Sequence, residues 1–465
     1  MSQLTRNKSP LTDRPLKTSQ ATGASLASMG IANCIPLMHG SQGCGAFAKV
    51  FLIQHFREPM PIQNTAVDQI AAVMGADDNV IEALALLCEK HQPEAITLMS
   101  TGLTELQGCD LERNVQEFYQ RYPDFKETKV IPVSTPDFIG SLQSGFSETV
   151  DAYVKELNKS ATRDEVIDKQ INVLCSSAMT CADIELVKDY VESFGLSGIF
   201  VPDLATSLDG HLETEDYSAT STGGCSIADI ASMHKSAATF VIGESLFKTG
   251  TWLEHNFAIP CFKFGHLMGL DATDAFIEQL SLVANREVPP RLYRARQRLQ
   301  DSLLDTHFVL SSSHAAAALE SDLLLGFDAL LHEAGLKLTI GVTATASALL
   351  QSSFAEQIIV GDHSDLDSTI EQCQLIIGNS HCAEFFEQQR PVLRAGLPSH
   401  DRFGSNQQLQ MGYQGACSLL NQLGNLLLAS HQPEVAAFYS PYRFGPEQVT
   451  LNEPENCRYI ATQRA

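Results

Sequence analysis

The sequence has no apolar run of the length that a bilayer span requires, so no membrane-embedded helix is expected. Its first stretch, Met1 to Pro15, mixes Lys, Arg, Ser and Pro without an apolar centre, and neither a signal peptide nor a membrane anchor is expected there. Basic residues are scarce: 31 Lys+Arg stand against 55 Asp+Glu, a formal charge of -24 that repels a phosphate backbone and removes nucleic acid from the candidate partners. There is no C-x-x-C pair, no Cys/His array of zinc spacing and no P-loop. A metal centre made wholly by this chain has no support, and any cluster must borrow ligands. The 12 cysteines lack the close, even spacing of a secreted disulfide framework, so reduced thiols in a soluble cytoplasmic protein are expected.

What is present is ample core material: 465 residues, 44% of them hydrophobic, call for several compact units rather than one. Short apolar runs ending near Gly, Ser or Thr, such as Ala95–Met99, Ile171–Cys175 and Leu375–Ile377, read as buried parallel strands. After the second, Ile184, Val187, Val191 and Phe194 recur at helical spacing, Gly195 marks a stop, and Gly198–Val201 starts another strand. A similar unit is expected from a strand at His307–Leu310 through an Ala- and Leu-rich helix to Gly335 and on to Leu338–Val342. Repetition of such units predicts an α/β protein of three doubly wound Rossmann-like domains, with mostly parallel sheets around a shared cleft. Polar Leu157–Gln170 and the Pro pair closing Asn285–Pro290 suggest domains at 1–165, 166–290 and 291–465. The run Arg291–Arg298 reads as the solvated face of a helix, with an anion grip as the alternative.

The most informative stretch is Pro36-Leu37-Met38-His39-Gly40-Ser41-Gln42-Gly43-Cys44-Gly45-Ala46-Phe47. A glycine-punctuated loop delivers Cys44 to the first turn of a helix, where free backbone N–H groups and the helix dipole favour an anionic sulfur able to bind iron. Gly43 and Gly45 leave room for a bulky inorganic centre or another subunit's backbone. The plain alternative is an inert buried thiol. His39 is either a group tuning such a centre or a structural loop residue. Thr222-Gly223-Gly224-Cys225-Ser226 could cradle an anion or simply turn into a helix. His381-Cys382, following a buried strand, could form a nucleophilic pair, although neighbours at a strand end usually point apart.

The run Pro36 to Phe56, continued by His55-Phe56-Arg57-Glu58-Pro59, resembles the cluster-binding alpha/beta family of nitrogenase component 1. Leu16–Gln20, Val73–Asp77, Thr101–Glu105, Gln107–Leu111 and Thr135–Phe138 support it, as do Ser207–Leu212, Leu304–Phe308, Leu324–Leu331 and Ile377–His381. The likeness spans nearly the whole chain, and the ensemble points to the cofactor-assembly branch. Dinitrogenase beta subunits of that family use three cysteines for an eight-iron cluster. One lies in the Gly-Ser-Gln-Gly-Cys loop, one shortly after His-Phe-Arg-Glu-Pro and one after the next strand. Cys44 occupies the first position, but Ile62 and Gly102 fall at the other two and cannot bind iron through a side chain.

The resemblance therefore implies that Cys44 supplies one of the four ligands of a [4Fe-4S] cluster, a NifE-type partner supplying the rest. Cys109, several residues past the Gly102 position, is not expected to be a ligand. It further implies a biosynthetic scaffold rather than an enzyme, an α2β2 heterotetramer, an iron-molybdenum cofactor precursor held mainly in the partner, and the nitrogenase iron protein as a reaction partner. The competing readings are a redox subunit of the same family, either a dinitrogenase beta chain or a dark-operative protochlorophyllide reductase subunit, and an ordinary nucleotide- or sugar-binding α/β protein.

Overall fold

A computed structural model of the chain describes residues 3–6, 11–212 and 218–430; the end of the expected third domain, 431–465, lies outside the described residues. Three sheets carry the fold, and every strand pair among the described residues is parallel. The chain opens with β1 (Gln3–Arg6), which joins the third sheet. The first sheet has the order β3-β2-β4-β5, from β2 (Cys34–Met38), β3 (Gln63–Asn64), β4 (Ala95–Met99) and β5 (Lys129–Val133). Its helices are α1 (Gln20–Met29), α2 (Gln42–Phe56), α3 (Ala71–Met74), α4 (Asp77–His91), α5 (Gly102–Gln107), α6 (Leu111–Arg121) and α7 (Leu142–Asn158). The second sheet, β7-β6-β8-β9, contains β6 (Ile167–Cys175), β7 (Ser197–Val201), β8 (Ser236–Ile242) and β9 (Cys261–Phe264). With it run α8 (Cys181–Ser193), α9 (Ile227–Ser232), α10 (Phe247–Phe257) and α11 (Leu270–Ala284).

The third sheet has the order β1-β12-β11-β10-β13-β14. It is built from β10 (His314–Ala318), β11 (Lys337–Thr343), β12 (Gln357–Val360), β13 (Leu375–Gly378) and β14 (Val392–Arg394), with α12 (Pro290–Leu310), α13 (Ser321–Glu333), α14 (Ser380–Phe386) and α15 (Gly412–Ser430). The expected strand at His307–Leu310 is instead the last turn of α12, and the strand is the following His-Ala-Ala-Ala-Ala segment. Four alanines carry little strand propensity, but β10 lies between β11 and β13, where small buried side chains let helices approach both faces. Arg291–Arg298 is helical as expected, with Arg296 paired to Asp274 at 2.7 Å.

The expected unit around α8 forms: Thr180 and Asp183 make a reciprocal cap, Ile184, Val187, Val191 and Phe194 are buried, and Gly195 follows at φ 72°. β2 and β4 are buried along their whole length, as strands covered on both faces must be. All of α1 is buried, and it meets α7 backbone to backbone: a Cβ on Gly23 would lie 1.8 Å from the Leu142 carbonyl oxygen, and one on Gly145 would lie 1.9 Å from that of Gln20. Among the described residues no helix is long and apolar enough to cross a membrane.

Setting β1 aside, in each sheet the strand order reverses once, and open parallel sheets bind ligands at the C-terminal ends of the strands beside that reversal. In the first sheet the reversal lies between β2 and β4, so the segments beginning at His39 and Ser100 flank it. In the second and third sheets it lies between β6 and β8 and between β10 and β13. Two adjoining cavities there share Ser177, Ala178, Leu323 and Ala395–Leu397, and one also touches Leu319, Glu320 and Asn379.

Candidate functional site

Cys44 lies in the first turn of α2. The helix starts because Ser41 is extended (φ −72°, ψ 158°), but the Ser41 hydroxyl does not cap the backbone; it lies 3.4 Å from the Cys44 sulfur. The thiol is half-buried and free, and every cysteine among the described residues is free. The loop beneath it is clamped. The His39 carbonyl accepts hydrogen bonds from the Thr101 and Thr104 hydroxyls, each 3.0 Å, and His39 Nδ1 lies 2.9 Å from Thr65 Oγ1. Burial holds the His39 imidazole at a pKa of about 4, against an opposing pull from Asp77, so the ring is neutral near pH 7. Its contacts make it an anchor of the loop.

The two glycines beside Cys44 differ. A Cβ on Gly43 would meet nothing nearer than the Ser41 hydroxyl at 3.9 Å, whereas one on Gly45 would lie 2.8 Å from Asn64 Nδ2. Asn64 in turn donates to the Ser41 carbonyl at 2.8 Å. The space at Gly45 is thus used within this chain, and Gly43 alone faces open space. Gly102 starts α5, while Ile62 is buried in the core.

Large apolar side chains stand exposed on the elements around this rim: Phe47 and Val50 on α2, Val73 and Met74 on α3, Leu106 on α5 and Phe138 after β5. Val73, Met74 and Leu106 are each at least 80% exposed. Among the described residues no three His, Cys, Asp or Glu side chains are placed to hold a metal ion together. Cys109 follows the C-terminal glycine of α5, and burial pushes its thiol pKa up, with Glu105, Asp77 and Asp110 adding to the effect of burial.

The other sequence candidates are packing features. Gly223 and Gly224 have positive φ, and a Cβ on Gly223 would lie 2.0 Å from the Thr206 carbonyl oxygen; the Cys225 N–H donates to the Gly30 carbonyl, and Ser226 caps α9. His381 and Cys382 are in the first turn of α14, beyond the strand end. Cys382 is fully buried with its pKa pushed up to about 12 by burial, while the His381 ring faces that of His400, 5.5 Å away.

Sequence reading missed two tethers. Arg57, left-handed at the end of α2 (φ 61°), donates to the His400 carbonyl at 3.0 Å and stacks on Phe403 at 4.6 Å, while His55 Nδ1 accepts the Ser399 N–H at 2.9 Å. Asp137 accepts the Ser19 hydroxyl at 2.6 Å and the Gly102 N–H at 3.4 Å, and its carbonyl accepts from Lys17 Nζ at 2.9 Å. The available signal was a carboxylate directly after Thr135-Pro136, where a strand has just ended.

Residues 19–428 match the family model described as "Nitrogenase component 1 type Oxidoreductase". The "Nitrogenase iron-molybdenum cofactor biosynthesis protein NifN" of Klebsiella pneumoniae is 39% identical over 450 residues, 96% of this chain and 97% of the relative. The protein of that name from Nostoc sp. is 40% identical over 426 residues, 91% of this chain and 95% of its own. Among solved structures, "Nitrogenase Cp1 at pH 6.5" superposes with a TM-score of 0.85 at 27% identity, over 95% of this chain and 98% of that one.

Proposed function

We propose that this chain, which belongs to the nitrogenase component 1 type oxidoreductase family, is the beta-type subunit of a scaffold on which the iron-molybdenum cofactor is built. The relatives at 39% and 40% identity carry that biosynthetic role in their names and align along nearly the whole chain. The single observation that carries the site assignment is Cys44: a half-buried free thiol at a helix start on a rim fringed with exposed apolar side chains.

The donor set fits one ligand and not four. Cys44 would hold one iron of a [4Fe-4S] cluster, and a NifE-type partner would hold the others across the interface. Such a cluster, when bound, supplies one-electron transfer. The chain's part is to present the sulfur from a clamped loop and to exclude water with the apolar fringe. The complex is then an α2β2 heterotetramer in the cytoplasm that meets the nitrogenase iron protein, with the cofactor precursor held mainly in the partner. The role is that of a scaffold and not of an enzyme.

The test is anaerobic co-purification with the partner, followed by iron content, electron paramagnetic resonance and cofactor maturation in the parent, Cys44→Ala and Cys109→Ser complexes. Cys44→Ala should give a changed or labile signal and poorer maturation while the two chains still assemble, and Cys109→Ser should match the parent. A Cys44→Ala complex equal to the parent in all three properties would sink the assignment. The likeness to Nitrogenase Cp1 favours a second reading, a redox subunit. An acetylene-reduction rate comparable with dinitrogenase would select it.

A further inference from the structure

Gly102 has no side chain to tie the start of α5 to its surroundings, and a neighbouring loop takes over that task. A Cβ on Gly102 would meet Asp137 Cβ at 3.4 Å and Oδ2 at 3.6 Å, so the Asp137 side chain lies over the bare face of the glycine. One carboxylate oxygen accepts the Ser19 hydroxyl at 2.6 Å and the other the Gly102 N–H at 3.4 Å. The tether continues toward Cys44. Thr101, next to Gly102, donates from Oγ1 to the His39 carbonyl at 3.0 Å, and a Cβ on Gly40 would lie 2.7 Å from Thr101 Cγ2. The His39–Ser41 segment fixed in this way ends at the hydroxyl 3.4 Å from the Cys44 sulfur.

We propose that Asp137 is a positioning residue for Cys44: it joins the segment before α1 to the start of α5 and, through Thr101 and the His39 loop, fixes where the sulfur is presented. The inference rests on the reading of Cys44 as a cluster ligand. Asp137 is itself exposed, so removing it leaves the core intact. Groups bonded directly to a metal ligand change metal affinity about 10–100-fold when removed, and Asp137, several links further out, should act at the low end of that range.

The experiment uses the anaerobically purified two-chain complex and measures the rate of iron loss to a chelator together with the paramagnetic signal, in parent, Asp137→Ala, Asp137→Asn, Ser19→Ala and Cys44→Ala. Asp137→Ala should release iron about tenfold faster with an altered line shape, at unchanged subunit stoichiometry. Asp137→Asn should stay near the parent, because its carbonyl can accept from Gly102 N–H and its amide can donate to Ser19 Oγ. An asparagine variant as labile as the alanine variant would make charge, not tethering, the cause and overturn the proposal. So would an Asp137→Ala complex indistinguishable from the parent beside a labile Cys44→Ala complex. If Asp137→Ala does not assemble, Ser19→Ala tests the same tether, and parent-like iron loss there counts against it. If Cys44→Ala itself keeps the parental cluster, the underlying reading fails, and this proposal with it.

Discussion

Adding one methyl group at three glycines of the first sheet should give three different results, because the obstacle differs in kind. At Gly23 the new carbon would lie 1.8 Å from the Leu142 carbonyl oxygen and 2.7 Å from its carbon, both backbone atoms that cannot rotate away. Helices α1 and α7 would have to part by about 1.5 Å to restore ordinary contact. Overpacking of this kind costs up to about 3 kcal/mol, offset by about 1 kcal/mol of helix propensity gained over glycine, a net loss of roughly 2 kcal/mol. For one compact unit of about 400 residues, with unfolding entropy of about 2.1 cal/mol/K per residue, the thermal midpoint should fall by roughly 2 °C. At Gly45 the obstacle is the Asn64 side chain at 2.8 Å, which can swing aside only by giving up its bond to the Ser41 carbonyl. Losing that bond and the one from the Ala66 N–H should cost about 2 kcal/mol, offset by about 1 kcal/mol of helix propensity, a net loss of roughly 1 kcal/mol. At Gly43 nothing stands nearer than 3.9 Å, and the change should be neutral or gain up to about 1 kcal/mol. Thermal unfolding of the three variants beside the parent, with hydrogen exchange on α1 and α7, measures the order. A Gly23→Ala protein as stable as Gly43→Ala would refute the backbone contact between the two helices.

Asp322, fully enclosed at the start of α13, has its pKa raised to about 7 by burial, with Ser245 hydrogen bonds opposing and Glu244 adding to the rise. A folded-state value above the unfolded one gives stability that is full below the unfolded pKa and is lost as pH rises through about 7. Asp322→Asn should therefore flatten the decline in thermal midpoint between about pH 4 and 7, and an unchanged slope would count against the assignment. Removing the α2 tether with Arg57→Ala loses the bond to His400 and the stack on Phe403, on the order of 1–2 kcal/mol. Limited proteolysis near Phe403 should speed up, with the Cys44 site keeping its iron.

The strands that sequence reading located, Ala95–Met99 and Leu375–Ile377 among them, were legible because a parallel strand buried on both faces must be apolar along its whole length. The α8 unit was legible because its spacing, its cap and Gly195 all agreed. β10 was not, since His-Ala-Ala-Ala-Ala resembles helix more than strand, and the apolar last turn of α12 just before it has the look of a strand. Cys44 at a helix start was readable from the glycine punctuation, but the two glycines looked alike there. Only Asn64, which packs beside Gly45 from β3, separates their roles. The tethers of Arg57 and Asp137 were harder to read: each bonds to a segment far away in the chain, and a carboxylate after Thr135-Pro136 marks a strand end without naming its partner.

The pairing of β1 with β12 sets a constraint on synthesis. Gln3 lies beside Gln357 and Arg6 beside Val360, so the edge of the third sheet is completed by a segment made long before its partner strand. Until residue 360 has been made, the opening segment has no register to adopt, and until it docks, β12 offers an unpaired edge to any other strand. A contact this distant in sequence closes late and slowly. A bulky fusion placed ahead of Gln3 should therefore act first on the yield of folded protein, through nascent chains that pair with one another, before it affects the finished molecule.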